Sequence, residues 1–151
     1  MNYSSALKAL LAGSVIVGAL SGCTATVNIE AAPLANDPAC AEIIVRLPDV
    51  LGEAQKRQTN AQSTAAWGDP SAVLLRCGLE PVTVSTLPCV TAGGIDWLVD
   101  DQRKPFYRFI TFATNPATEV VVDSGLIAGV SALEGLAGAV ENIEPTGRCT
   151  P

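Results

Sequence analysis

Five cysteines stand in this 151-residue chain, and Cys23 is set apart from the others by what precedes it. The stretch from Met1 to Gly22 carries a single cation, Lys8, and the run from Ala9 to Leu20 carries no charge. An uncharged core of that length, between a positive start and small residues, has the form of an export leader, whereas a membrane-crossing helix needs about 20 apolar residues. The leader closes on Leu20-Ser21-Gly22-Cys23, the order of a bacterial lipobox, which resembles the lipoprotein signal. In that signal the cysteine sulfur accepts a diacylglycerol and its amino group becomes the new terminus. The alternative is an ordinary secretory leader with a cysteine beside its cleavage site. The expected organisation is therefore a signal peptide over 1–22, an anchor and tether over 23–36, and a single domain over 37–151. Two or more acyl chains on Cys23 would hold such a protein stably, each buried CH2 contributing about 0.8 kcal/mol. The expected location is the outer face of the cytoplasmic membrane, with the lipid anchor as the membrane contact.

Once Cys23 is assigned to lipid, Cys40, Cys77, Cys89 and Cys149 form an even set in an oxidising compartment, and two disulfides are expected. Four cysteines allow three connectivities. Cys40 opens a predicted helix and Cys77 ends a predicted strand, and these ends meet when a helix packs antiparallel to its strand. That topology favours Cys40 with Cys77 and Cys89 with Cys149, the second bridge stapling the tail. Each closure should stabilise by about 3–4 kcal/mol. A metal is the competing use of four cysteines, but no pair has the C-x2-C spacing and the chain holds no histidine. Neither metal nor cofactor is expected.

Without the leader the chain keeps eight Lys and Arg residues against fifteen Asp and Glu, a formal net of 8 minus 15, or −7. Such a balance speaks against nucleic acid as a partner, because phosphate binding needs a basic stripe. The neighbouring cations Lys56 and Arg57 read as a solvated face rather than a basic site. Absence of histidine removes the usual general base near neutral pH. A Ser-Lys dyad on Lys56 or Lys104 would need a desolvated lysine, and both lie in polar stretches. Paired carboxylates could be drawn from Asp69, Asp96 and Asp100, although turn and surface acids are the simpler reading. Asp100-Asp101 lacks the spacing of a calcium loop. No enzymatic activity is expected.

Thr24 to Ala32 alternates and could form a strand after the anchor. Asp37-Pro38 starts a helix that Pro48 stops, predicted over about Pro38 to Arg46. The polar stretch Gln55 to Asn60 reads as an edge strand or loop. Trp67-Gly68-Asp69-Pro70 marks a turn before a strand from Ala72 to Cys77. Further strands are predicted over Val82 to Leu87, Ile95 to Asp100, Phe106 to Ala113 and Thr118 to Asp123, with a bend at Gly93-Gly94. Leu126, Ile127, Val130, Leu133, Leu136, Ala137 and Val140 recur at helical spacing and predict an amphipathic helix packed on the sheet. The expected fold is α+β, an antiparallel sheet of about five strands with two helices on one face, a two-layer sandwich with two disulfides.

Several of these residues also carry a resemblance. A lipobox, a cysteine opening a helix that ends in Leu47-Pro48, Trp67-Gly68-Asp69-Pro70 leading to Leu75-Arg76-Cys77-Gly78, then Asp96-Trp97-Leu98 and the stretch from Thr111 to Val120 together resemble the actinobacterial family known as domain of unknown function 3515. The similarity spans nearly all of residues 40 to 141. The chain departs from the family at its last hairpin, where Phe112-Ala113-Thr114-Asn115-Pro116-Ala117 replaces an aromatic followed by Gly-Arg-Asp-Pro-Ala. The resemblance implies an exported or lipid-anchored protein and carries no catalytic residues. The expected function is non-enzymatic, an interaction or assembly module with an envelope protein as partner. A small-molecule or glycan-binding lipoprotein is the alternative, and a carboxylate hydrolase a distant third. A groove lined by Trp67, Trp97 and Tyr107 would favour a ligand, and a flat exposed patch including Phe109 would favour a protein.

Overall fold

The structure is a computed structural model describing residues 25–149, so the expectations for the leader and for lipidation at Cys23 lie outside the described residues. Helix α1, Pro38–Arg46, starts where Asp37 Oδ1 accepts the Ala39 N–H at 2.8 Å, with Pro38 in the first turn. It ends at Leu47, which takes the extended conformation that a following proline favours. Eight strands come next: β1 Val50–Leu51, β2 Ala54–Arg57, β3 Thr64–Trp67, β4 Val73–Leu79, β5 Cys89–Ala92, β6 Ile95–Arg103, β7 Phe106–Thr111 and β8 Ala117–Asp123. Helix α2, Gly129–Val140, follows.

The strands form one sheet in the order β1-β2-β3-β4-β8-β7-β6-β5, with every neighbouring pair antiparallel. Two four-stranded meanders are thus joined where β8 pairs with β4. This corrects the expected sheet of about five strands, since the described residues are mostly sheet and contribute eight strands to it. The expected strand at Val82 to Leu87 is a connection bracketed by Pro81 and Pro88. Its place at the sheet edge is taken by β5, which Gly93 and Gly94 turn directly into β6 with φ of +60° and +79°. Positive φ at both central residues is what a tight two-residue hairpin requires. The segment Thr24 to Ala32 contributes only an isolated parallel bridge between Val27 and Thr59 among the described residues.

Alternation along the strands separates two faces. Val73, Leu75 and Cys77 of β4, Val120 and Val122 of β8, Phe109 of β7 and Trp97 of β6 join Cys40 and Ile43 of α1 and Leu133, Leu136 and Val140 of α2 in one buried cluster. Both tryptophans belong to it, and each buried indole N–H finds a carbonyl, Trp67 on Pro48 at 2.9 Å and Trp97 on Ala92 at 3.3 Å. The disulfide Cys40–Cys77 ties α1 to β4 inside this cluster, with its Cα atoms 5.5 Å apart. Gly78 follows at φ +110°, and a Cβ there would lie 2.4 Å from the Ala35 backbone nitrogen, so only glycine lets the segment entering α1 pass this close. On the other face Leu98, Ile110 and Ala117 make a smaller cluster, against which Val82 and Leu87 of the 80–88 connection pack. The second disulfide, Cys89–Cys149, fastens the tail to β5 with Cα atoms 6.4 Å apart. Both pairings are those that the helix-to-strand topology favours.

Candidate functional site

Tyr107 and Phe109 lie two residues apart on β7 and so share the helix side, where their rings stack with centroids 6.4 Å apart. The first turn of α2 lies over them. A Cβ on Gly129 would stand 3.0 Å from Phe109 Cζ, so the missing side chain lets the ring lie against the start of the helix. Between α2 and the β5–β6–β7 edge a cleft of about 370 Å³ stays open, walled by Val90, Val99, Tyr107, Phe109, Val122, Val130 and Leu133, with Thr91 and Ser124 as polar neighbours. Val90 and Val130 are 42% and 55% exposed at this cleft. Its lining is mostly aliphatic and aromatic, with the hydroxyls of Thr91, Tyr107 and Ser124 as its polar groups, so the arrangement can hold an apolar group.

Of the four aromatic residues expected at a binding site, Tyr107 and Phe109 come together here, and Trp67 and Trp97 do not. Both tryptophans are fully buried, so the groove lined by Trp67, Trp97 and Tyr107 does not form. The flat patch including Phe109 does not form either, because Phe109 is 6% exposed and makes the inner wall of the cleft. The valines of the cleft escape notice in the sequence because they read as ordinary strand and helix residues. Val130 belongs to the apolar helical stripe read from the sequence, and nothing in that spacing separates it from the buried Leu133, Leu136 and Val140.

The acids considered for hydrolysis are held apart by the sheet. Asp69 pairs with Arg57 at 3.2 Å, and Asp100 accepts the Gln102 N–H at 3.1 Å. Asp96 accepts from Thr91 Oγ1 at 2.7 Å and from the Cys149 N–H at 2.9 Å and pairs ionically with Arg148 Nε at 3.1 Å, so it serves to clip the tail. Burial pushes the Asp96 pKa up, but the Thr91 and Cys149 hydrogen bonds and the Arg148 charge outweigh it and hold the carboxyl below its ordinary 3.8. Asp96 and Asp100 sit four residues apart on one face of β6, about 13 Å at strand rise, beyond the roughly 5–9.5 Å of paired glycosidase carboxylates. Lys104 is exposed, and its hydrogen bond and ion pair with Asp101 raise its pKa, the opposite of what an activated lysine needs.

Opposite the cleft, three neighbouring strands bring charges together. Arg76 of β4 and Arg108 of β7 both donate to Glu119 of β8. These residues are 43 and 11 positions apart in the chain, so only the register reveals the contact. Among the described residues no group of three His, Cys, Asp or Glu side chains could hold a metal ion, and no helix is long and apolar enough to cross a membrane.

Comparison with curated proteins and with solved structures gave no match. A family model does match, over residues 6–149, which is nearly the whole chain and includes every strand and helix described above. The chain belongs to the family described as Protein of unknown function (DUF3515).

Proposed function

We propose that this is an exported, lipid-anchored envelope protein that works by binding rather than catalysis, and that its helix-side cleft receives an apolar group presented by an envelope protein. Export and anchoring rest on the leader and on Leu20-Ser21-Gly22-Cys23, and two disulfides suit an oxidising compartment. The observation that carries the binding reading is the cleft itself. Its inner wall is aromatic and aliphatic, and Val90 and Val130 leave apolar surface in water that a docked partner would cover. A small-molecule ligand is the second reading, favoured by a volume of about 370 Å³, which falls within the range of small-ligand sites.

The test is purification of natively lipidated, C-terminally tagged protein from membranes, with mass spectrometry of its N-terminus and of whatever accompanies it. A protein recovered in near-equal amount, lost with Val130→Asp while the melting temperature holds, supports docking at the cleft. Equal recovery with Val130→Asp places the partner elsewhere. Recovery of the protein with a tightly held small molecule instead moves the second reading to the front. A Cys23→Ala control reports which associations need the anchor.

A further inference from the structure

Three of the eight Lys and Arg residues beyond the leader converge on the sheet face that the helices leave open. Arg76 Nε donates to Glu119 Oε1 at 2.6 Å, and Arg108 Nε donates to Oε2 of the same carboxylate. Glu119 is 5% exposed, so it acts as a fixed post that holds two guanidinium groups from different strands side by side. Arg108 makes this contact through its inner nitrogen, which leaves its two terminal nitrogens without a protein partner among the described residues. Arg103 ends β6 beyond a register shift between Asp100 and Arg103, and it makes no ion pair among the described residues. Together they line a groove of about 490 Å³ whose other walls include Asp100, Phe106 and Val121.

Three guanidinium groups stand against the Asp100 carboxylate in the lining and the carboxylates of Glu119 and Asp123 on the same sheet face, so the groove is close to neutral within a domain whose overall charge is strongly negative. Charges separated by more than the screening length of about 8 Å count little in physiological salt, so a ligand in the groove meets this local balance rather than the domain's net charge, and it meets the guanidinium nitrogens that Arg103 and Arg108 leave unpaired among the described residues. We propose that the groove binds the phosphodiester monoanion of a ligand. A phosphomonoester would bring about two negative charges into a groove with no positive excess to balance them, whereas a diester brings one. A carboxylate is matched by one guanidinium fork, whereas a phosphodiester presents oxygens in several directions that can be met from β4, β6 and β7 together. Phe106, 48% exposed, and Val121 supply an apolar wall against which the carbon skeleton on either side of the diester can lie. The site is on the opposite side of the sheet from the cleft and stands independently of the function proposed for it.

The test is calorimetric titration of the full chain, disulfides formed, with three probes: glycerophosphoglycerol, dihexanoyl phosphatidylglycerol below its micellar concentration, and hexanoate. The phosphodiester probes should bind, more weakly as salt rises, and hexanoate should bind far less. Equal affinity for the two diesters identifies the headgroup alone as ligand, and preference for the acylated one identifies a lipid. Arg103→Gln removes a group with no ion pair in the fold and should weaken diester binding about tenfold with an unchanged melting temperature. Arg108→Lys keeps the charge but loses the fork and should also weaken it. Failure of both diesters to bind, hexanoate binding as tightly as they do, or unchanged affinity in Arg103→Gln would overturn the proposal.

Discussion

Val120 and Val122 of β8 point toward the helices and are fully buried, whereas Glu119 and Val121, each one residue away on the same strand, point to the open face. The first pair lies in the cluster that holds both tryptophans and the Cys40–Cys77 bridge. Glu119 holds two arginines, and Val121 is left half-exposed in a groove. A single strand therefore serves two kinds of surface. On the helix side, removal of apolar area from water is the main stabilising effect, at about 25 cal/mol per Å². On the open side, ion pairs at the margin of solvent contribute far less and leave groups available to ligands. The difference explains why the cleft beside α2 is apolar, while Arg76, Arg108 and Glu119 gather on the other face.

The largest expected break in this comparison is Trp97→Ala, which should destabilise by about 3–5 kcal/mol because it empties a fully buried site between β6 and α2. Urea unfolding with the disulfides intact measures it, and a loss under about 1 kcal/mol would place Trp97 outside the core. Glu119→Gln should cost less, about 1–3 kcal/mol, by leaving Arg76 and Arg108 beside each other without their shared charge. A smaller effect is expected at Asp96. Its pKa is depressed in the folded protein, so its contribution is present above the unfolded value near 3.8 and is lost as pH falls through the lower folded value. Melting temperature against pH should fall more steeply below about pH 4 for the native chain than for Asp96→Asn, because only the native chain loses this carboxylate's contacts there. Parallel curves would show that Asp96 does not hold the tail.

Much of the helix side was legible in the sequence. Asp37, Pro38 and Pro48 delimit α1 as read, and the spacing of Leu133, Leu136 and Val140 marks the buried stripe of α2. The disulfide pairing followed from where Cys40 and Cys77 fall in their elements. The strands that escaped are short. Thr64-Ala65-Ala66-Trp67 is buried along its whole length, and alanine has little strand preference, so neither alternation nor propensity marks β3. Val50-Leu51 is too short to show a period. For β5 the signal was present, since Gly93-Gly94 between two alternating runs is a hairpin cue, but the longer apolar run at Val82 to Leu87 competes with it. The open-face charges also left a trace. Arg76, Arg108 and Glu119 each stand between residues of the opposite face, as in Leu75-Arg76-Cys77 and Thr118-Glu119-Val120. That pattern gives the face of each charge, but only the pairing of β4, β8 and β7 brings the three together.

The division of the sheet into a face that holds the fold and a face that does not is tested most directly by two adjacent truncations on β8, Val122→Ala and Val121→Ala, compared by equilibrium unfolding under identical conditions. Val122 is fully buried and its neighbour half-exposed, so Val122→Ala should lose about 2 kcal/mol and Val121→Ala less than about 0.5 kcal/mol. Equal losses, or a larger one at Val121, would contradict the assignment of the two faces and with it both proposed sites.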